Sequence, residues 1–314
     1  MGCGVAALLG AAGCAVPPTP LRVASNTWPG YEPMYLARDL GLLEERRVRL
    51  VELLSATDCL HALSGGYVDG AGLTLDEVLT ARSQGLPLTV VMVFNFSAGA
   101  DVIVGRPELQ GLTDLVGRRV GVEQTAVGAL MLGSALAHAG IDPARIERVH
   151  LTIDEQGAAF LLGDVDAVVT FEPVAGQLLE AGAVRLFDSR EIPDQIVDVL
   201  AFRPEAIGSH GEAIVHLLRA HYLALEHLRA QPMDAAYRIA PRLGIPPEKV
   251  RSAFAGIRIP GAEENRGLFA GTPAPLYERA HTLTQWMQEN RLIAEHPALF
   301  NGLLDPTLLE RAFA

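Results

Sequence analysis

Leu21-Arg22-Val23-Ala24-Ser25-Asn26-Thr27-Trp28-Pro29-Gly30-Tyr31-Glu32-Pro33-Met34-Tyr35-Leu36-Ala37 sets the reading of this chain. It holds an apolar strand, a Pro-Gly turn flanked by two aromatic rings, and the opening of a helix. Leu21 to Ala24 is short and apolar, as a buried strand requires, and Tyr35 to Leu43 carries helical spacing that stops near Gly41. Outward from there the alternation repeats. Val48 to Leu54 alternates and is β-branched; Ser55-Ala56-Thr57-Asp58 then supplies N-cap residues for a helix from Cys59 to Ser64. Gly70-Ala71-Gly72-Leu73-Thr74 is a small-residue strand, Leu75 to Ser83 a helix, and Leu86 to Phe94 a strongly apolar strand. Strands alternating with helices of about ten residues predict the α/β class, with βαβ units and a mostly parallel sheet.

A second series starts at Asp101. Strands are expected at Val102–Gly105, Arg119–Val122, Val149–Leu151, Ala167–Thr170, Arg185–Phe187 and Val197–Phe202. The helices between them include one from Thr125 to His138, one from Glu155 to Leu162 and one from Pro173 to Ala181. From Glu212 onward the pattern is helical almost throughout, broken at Pro232, Gly244-Ile245-Pro246-Pro247 and Pro260-Gly261. This order predicts two interleaved α/β lobes: residues 21–100 plus 199–314 form one and residues 101–198 the other. The chain crosses near Ala98–Val102 and returns near Asp198–Phe202. Two crossings make a hinge and leave a ligand cleft between the lobes.

With 314 residues, two domains agree with the usual domain size. A hydrophobic fraction of 49% and a charged fraction of 20% mark a folded globular chain. Lys and Arg number 25 against 37 Asp and Glu, a net charge of −12, with no basic stripe. That excludes the electrostatic footprint of a nucleic-acid binder. Lys249 is the only lysine, which leaves one residue for Schiff-base chemistry.

Met1 to Val16 is small, apolar and uncharged, and Pro17-Pro18-Thr19-Pro20 follows as a spacer. The apolar run is too short to span a bilayer but suits the h-region of a signal peptide. Gly10-Ala11-Ala12-Gly13-Cys14 resembles a bacterial lipobox, which makes Cys14 the expected site of lipidation and residues 1–20 a signal and spacer segment. Cys59 would then be the one cysteine left after Cys3 is cleaved away. No intramolecular disulfide or cysteine-based metal site is expected.

Five stretches, in order, resemble the solute-binding proteins of the nitrate/sulfonate/taurine ABC importers, a superfamily that includes thiamine-pyrimidine-precursor binders. They are Asn26 to Ala37, Phe96-Ser97-Ala98-Gly99-Ala100-Asp101, Leu115 to Val122, Asp166 to Pro173, and Ile192 to Leu200. The resemblance covers roughly residues 21–300 and implies the type II periplasmic-binding-protein fold, with a solute held between two lobes.

Candidate ligand-binding residues follow from the residues and from that fold. A Pro-Gly turn at a strand end projects Trp28 and Tyr31 into the crevice at the carboxyl ends of the strands, where the rings would sandwich a planar solute or cover an apolar or cationic one. Ser55 and Thr57 in one lobe and Thr125 in the other lie where a strand meets a helix N-terminus, a natural anion site. Thr74 has a similar place. Ser97, Asp101, Glu172 and Asp198 lie near the presumed hinge, with Glu123 as a further uncertain carboxylate, and favour a ligand with an amine or amidine group. Plain helix capping and structural hinge carboxylates are the competing explanations.

The nine histidines include no HExxH, and His216, His221 and His227 are spaced at i, i+5 and i+11, which does not form a ligand pair. Gly65-Gly66 lacks a P-loop lysine, and there is no GxSxG elbow. No metal or cofactor is expected. The resulting expectation is a non-enzymatic, exported, lipid-anchored solute-binding protein, monomeric, that delivers a nitrogen- or sulfur-containing organic solute to an ABC permease in the inner membrane. The alternatives are an enzyme on the same fold (a lyase or a thiamine-pyrimidine-precursor synthase) and a ligand sensor.

Overall fold

The computed structural model describes residues 19–124 and 127–314. Cys14 and Thr125 therefore lie outside the described residues. In chain order the first unit is β1 (Leu21–Ser25), α1 (Glu32–Asp39), β2 (Val48–Glu52), α2 (Ala56–Ser64), β3 (Gly70–Thr74), α3 (Leu75–Ser83) and β4 (Thr89–Ser97). Next come β5 (Asp101–Gly105), β6 (Arg119–Val122), α4 (Val127–His138), β7 (Glu147–His150), α5 (Ile153–Leu162), β8 (Ala167–Phe171), α6 (Val174–Glu180) and β9 (Val184–Asp188). The chain ends with β10 (Val197–Phe202), α7 (Pro204–Ala230), α8 (Pro232–Leu243), α9 (Pro247–Ala253), β11 (Ile257–Arg258), α10 (Ala262–Phe269), α11 (Pro275–Glu289) and α12 (Thr307–Phe313).

Two mixed sheets result. One has the order β11-β4-β10-β3-β1-β2 and the other β7-β6-β8-β5-β9. The chain leaves the first sheet at residues 98–100 and comes back at residues 189–196, so its two halves are not the halves of the fold. Val197 and Asp198 pair with Phe96 and Asn95, which completes the return two residues before the expected boundary.

The expectation of mostly parallel sheets is corrected. Among the described residues, β1 with β2, β1 with β3, β6 with β7 and β6 with β8 are parallel. The other five pairings are antiparallel. Each reversal involves β4, β5 or β10, which flank the two crossings. A strand entering from the opposite sheet arrives without a crossover helix and can pair in either sense.

The central strands are long apolar runs because both faces are covered. Every residue of β4 is buried, and so is every residue of β10. Helix α3 begins at Leu75, as expected, with Asp76 and Glu77 in its first turn. Trp286, expected in the core of the C-terminal helices, is half-buried and lies against Gly133 of α4, so α11 leans on the second unit.

Candidate functional site

Strand β1 ends at Ser25, and Trp28-Pro29-Gly30-Tyr31 turns the chain into α1. Gly30 is required by close approach: a Cβ there would collide with the side chains of Asn95 and Trp28. The turn sends its two rings into the space between the sheets. Trp28 meets Phe171 of β8 edge to face, with centroids 5.3 Å apart and planes at 88°. Tyr31 donates its hydroxyl to Asp198 Oδ1 at 2.7 Å. With the Asn95 amide oriented to satisfy both of its ends, its nitrogen donates to Asp198 Oδ2 at 2.9 Å and its oxygen accepts from Trp28 Nε1 at 3.3 Å.

These groups enclose a cavity of about 20 Å³ between the sheets, enough for one water-sized group. Asn26, Trp28, Tyr31, Ala56, Thr74, Glu77 and Asp198 line it from the first unit. Asp101, Glu123, Val127 and Phe171 line it from the second. Four of these are carboxylates, each at most 4% exposed. None of the described lining residues is Lys, Arg or His. The buried guanidinium of Arg242 approaches Asn26 only at its backbone oxygen and is paired with Glu32.

The carboxylates bridge the sheets. Glu77 Oε2 accepts the backbone N–H of Thr74 at 2.8 Å, while its Oε1 accepts the N–H of Val127, the first residue of α4, at 3.2 Å. Glu123 Oε1 accepts the backbone N–H of Thr57 at 2.9 Å and its hydroxyl at 2.6 Å, in the first turn of α2. The N-termini of α2 and α4 are thus each met by a carboxyl group from the opposite unit, as their partial positive charge favours. Asp101 donates its own N–H to Ser97 Oγ at 3.1 Å, and its Oδ2 has no hydrogen-bond partner.

Burial lifts the Asp101 carboxyl to about 7 and that of Asp76 to about 6. Burial also raises Glu77 well above the carboxylate range, and the neighbouring Asp76 charge adds to the rise. It raises Asp198 likewise, against the pull of the Tyr31 hydroxyl. Asp76, Glu77, Asp101 and Asp198, buried without a cation beside them, thus favour the protonated form more than free carboxyl groups do.

The structure brings Trp28, Tyr31, Thr74, Asp101 and Asp198 together in the cavity. It gives the other expected residues different work. Ser55 Oγ caps α2, accepting the N–H of Asp58 at 3.1 Å and donating to its Oδ2 at 2.9 Å. Thr57 holds Glu123. Ser97 lies at the first crossing, 2.8 Å from Ser189 Oγ. Glu172 accepts the N–H of Gly176 at 3.2 Å in the first turn of α6. Glu77, Asn95 and Phe171 were not singled out from sequence. The Thr74-Leu75-Asp76-Glu77 pattern of a capping box was the available signal for Glu77; nothing local marks the other two.

A sequence model described as the NMT1-like family matches residues 15–243. The taurine-binding periplasmic protein of Escherichia coli (strain K12) is 27% identical over 163 residues, 51% of each chain. The matched segment therefore spans about half the length of that relative. The alkanesulfonate-binding protein SsuA from Xanthomonas axonopodis pv. citri, solved with MOPS, superposes with a TM-score of 0.75 at 20% identity, covering 90% of this chain and 96% of that one. The periplasmic aliphatic sulphonate binding protein SsuA from Escherichia coli superposes with a TM-score of 0.74 at 23% identity, covering 92% and 93%. The expected two-unit periplasmic-binding-protein fold is the observed one.

Proposed function

The chain belongs to the NMT1-like family, and from that premise we propose that it is an extracytoplasmic solute-binding protein that delivers a small nitrogen- or sulfur-containing organic molecule to an ABC permease. The observation that carries this reading is the cavity itself. Side chains from both sheets converge on one space, and the chain passes between those sheets twice. Residues 21–100 plus 199–314 and residues 101–198 act as the two lobes, and parting them opens the cleft. The taurine- and sulfonate-binding names of the relatives support the transport role. Cys14 is the lipid anchor in this reading, which places the protein on the outer face of the cytoplasmic membrane as a monomer.

The cavity also supports binding without turnover. Lys249 stands on exposed α9, paired with Glu180, and does not line the cavity, so no lysine is placed to form a Schiff base there. Cys59 is buried, and burial pushes its thiol up, away from the thiolate a nucleophile needs. Native mass spectrometry of protein purified without denaturation, followed by a thermal-shift screen of solutes, tests the reading. A bound small molecule whose addition raises the melting temperature is expected. Turnover of that molecule would overturn it.

A further inference from the structure

We propose that the solute of this cleft is a compact organic cation bearing N–H donors, of the alkylammonium or amidinium class, and not an anion such as a sulfonate. The proposal rests on the binding-protein reading above and narrows its ligand.

Charge comes first. Glu77, Asp101, Glu123 and Asp198 face one closed space of about 20 Å³ with no described cationic side chain among its lining. An anion entering it would be buried in a medium of low polarity with no cationic side chain among the described lining to offset its charge.

Two backbone donors that suit an anion are already engaged. The N–H of Thr57 in α2 and that of Val127 in α4 hold Glu123 and Glu77 in the closed cleft. The protein's own carboxylates stand where an oxyanion would bind.

What remains is an acceptor. Asp101 is 4% exposed, lines the cavity, and its Oδ2 has no partner. Both oxygens of Asp198, by contrast, are occupied by Tyr31 and Asn95. A buried carboxylate oxygen without a donor is costly, and an N–H from a cation relieves that cost. Trp28 and Phe171, in edge-to-face contact with each other, line the same space from opposite sheets. The small volume selects a compact molecule. Burial disfavours the ionised forms of Glu77, Asp101 and Asp198, so a cation bound among them displaces protons to solvent, and total charge is conserved.

The test is isothermal titration of the full chain with methylammonium, acetamidinium and methanesulfonate as probes, at pH 6 and in two buffers of different ionisation enthalpy. Saturable binding of either nitrogen cation, with proton release read from the buffer dependence, is expected. Asp101→Asn should weaken that binding at least tenfold, while Glu205→Gln, an exposed carboxylate on α7, should leave it unchanged. The proton-release readout on the unmodified protein stands even if Asp101→Asn does not fold. Saturable methanesulfonate binding without cation binding overturns the cationic class and leaves the binding-protein reading intact. Equal competition by potassium chloride overturns the requirement for N–H donors. Binding of neither series overturns the proposal, and if native mass spectrometry also finds no solute, the binding-protein reading falls with it.

Discussion

Glu123, just beyond β6, reaches across to Thr57 in α2 of the other sheet, its Oε1 accepting both the backbone N–H at 2.9 Å and the hydroxyl at 2.6 Å. Glu77 makes the reciprocal reach to Val127 of α4. Together they tie the two units shut across the cavity through carboxyl hydrogen bonds at helix N-termini.

Removing one tie should open the cleft. Bonds to a charged group contribute about 1.5–3 kcal/mol each, so Glu123→Ala is expected to shift the ligand-free protein toward an open form. Small-angle scattering would show this as a larger radius of gyration. Arg266→Met, which breaks the exposed pair with Glu310 inside the first unit, is the control and should leave the radius unchanged.

Trp28→Ala removes the ring that faces Phe171 and spans the sheets. Affinity for the native solute should fall more than tenfold by titration calorimetry. An unchanged dissociation constant would take Trp28 out of the site.

Tyr31→Phe keeps the packing and deletes the donor to Asp198. An under-satisfied buried carboxyl costs about 1–3 kcal/mol, so the midpoint of chemical denaturation should drop. Tyr31→Phe combined with Asp198→Asn should lose less than the two single changes summed, because they share one interaction.

Asp101 predicts a pH dependence with a definite sign. Its folded-state carboxyl titrates at about 7, above the ordinary value of 3.8. The folded protein therefore holds a proton that the unfolded chain releases. Stability from this group is fully present below pH 4 and is lost as pH rises to 7. Relative to wild type, Asp101→Asn should gain melting temperature between pH 5 and pH 7.5. A constant difference across that range would contradict the buried, proton-holding Asp101. The groups facing it are Asp76 and Glu77 of α3, Asp198 of β10, Glu123 after β6 and the hydroxyl of Ser97.

Gly30→Ala places a methyl group against Asn95 and Trp28. Overpacking of this kind costs about 1–3 kcal/mol, and because it displaces both partners of the Trp28–Asn95–Asp198 chain, solute affinity should fall along with stability.

Much of the fold was legible because it rests on local signals. Alternating apolar runs and caps located β1, α3, β4 and most of the second unit. The Pro-Gly turn identified Trp28 and Tyr31 for the same reason: a turn at a strand end has a fixed direction. Strand sense was not legible, since β5 and β10 arrive from a different sheet and nothing in their own residues records which neighbour they meet.

For the site, the sequence determined which groups were available: an aromatic turn, several carboxylates and helix N-termini suited to anions. Only the tertiary structure decided how they are used. Ser55, Thr57 and Thr74 read as donors awaiting an anionic ligand, yet Ser55 caps its own helix and Thr57 is held by Glu123, sixty-six residues away in sequence. An N-cap that meets a ligand and one that meets a carboxylate from another sheet have the same local sequence. The difference is a long-range contact, which no local pattern records.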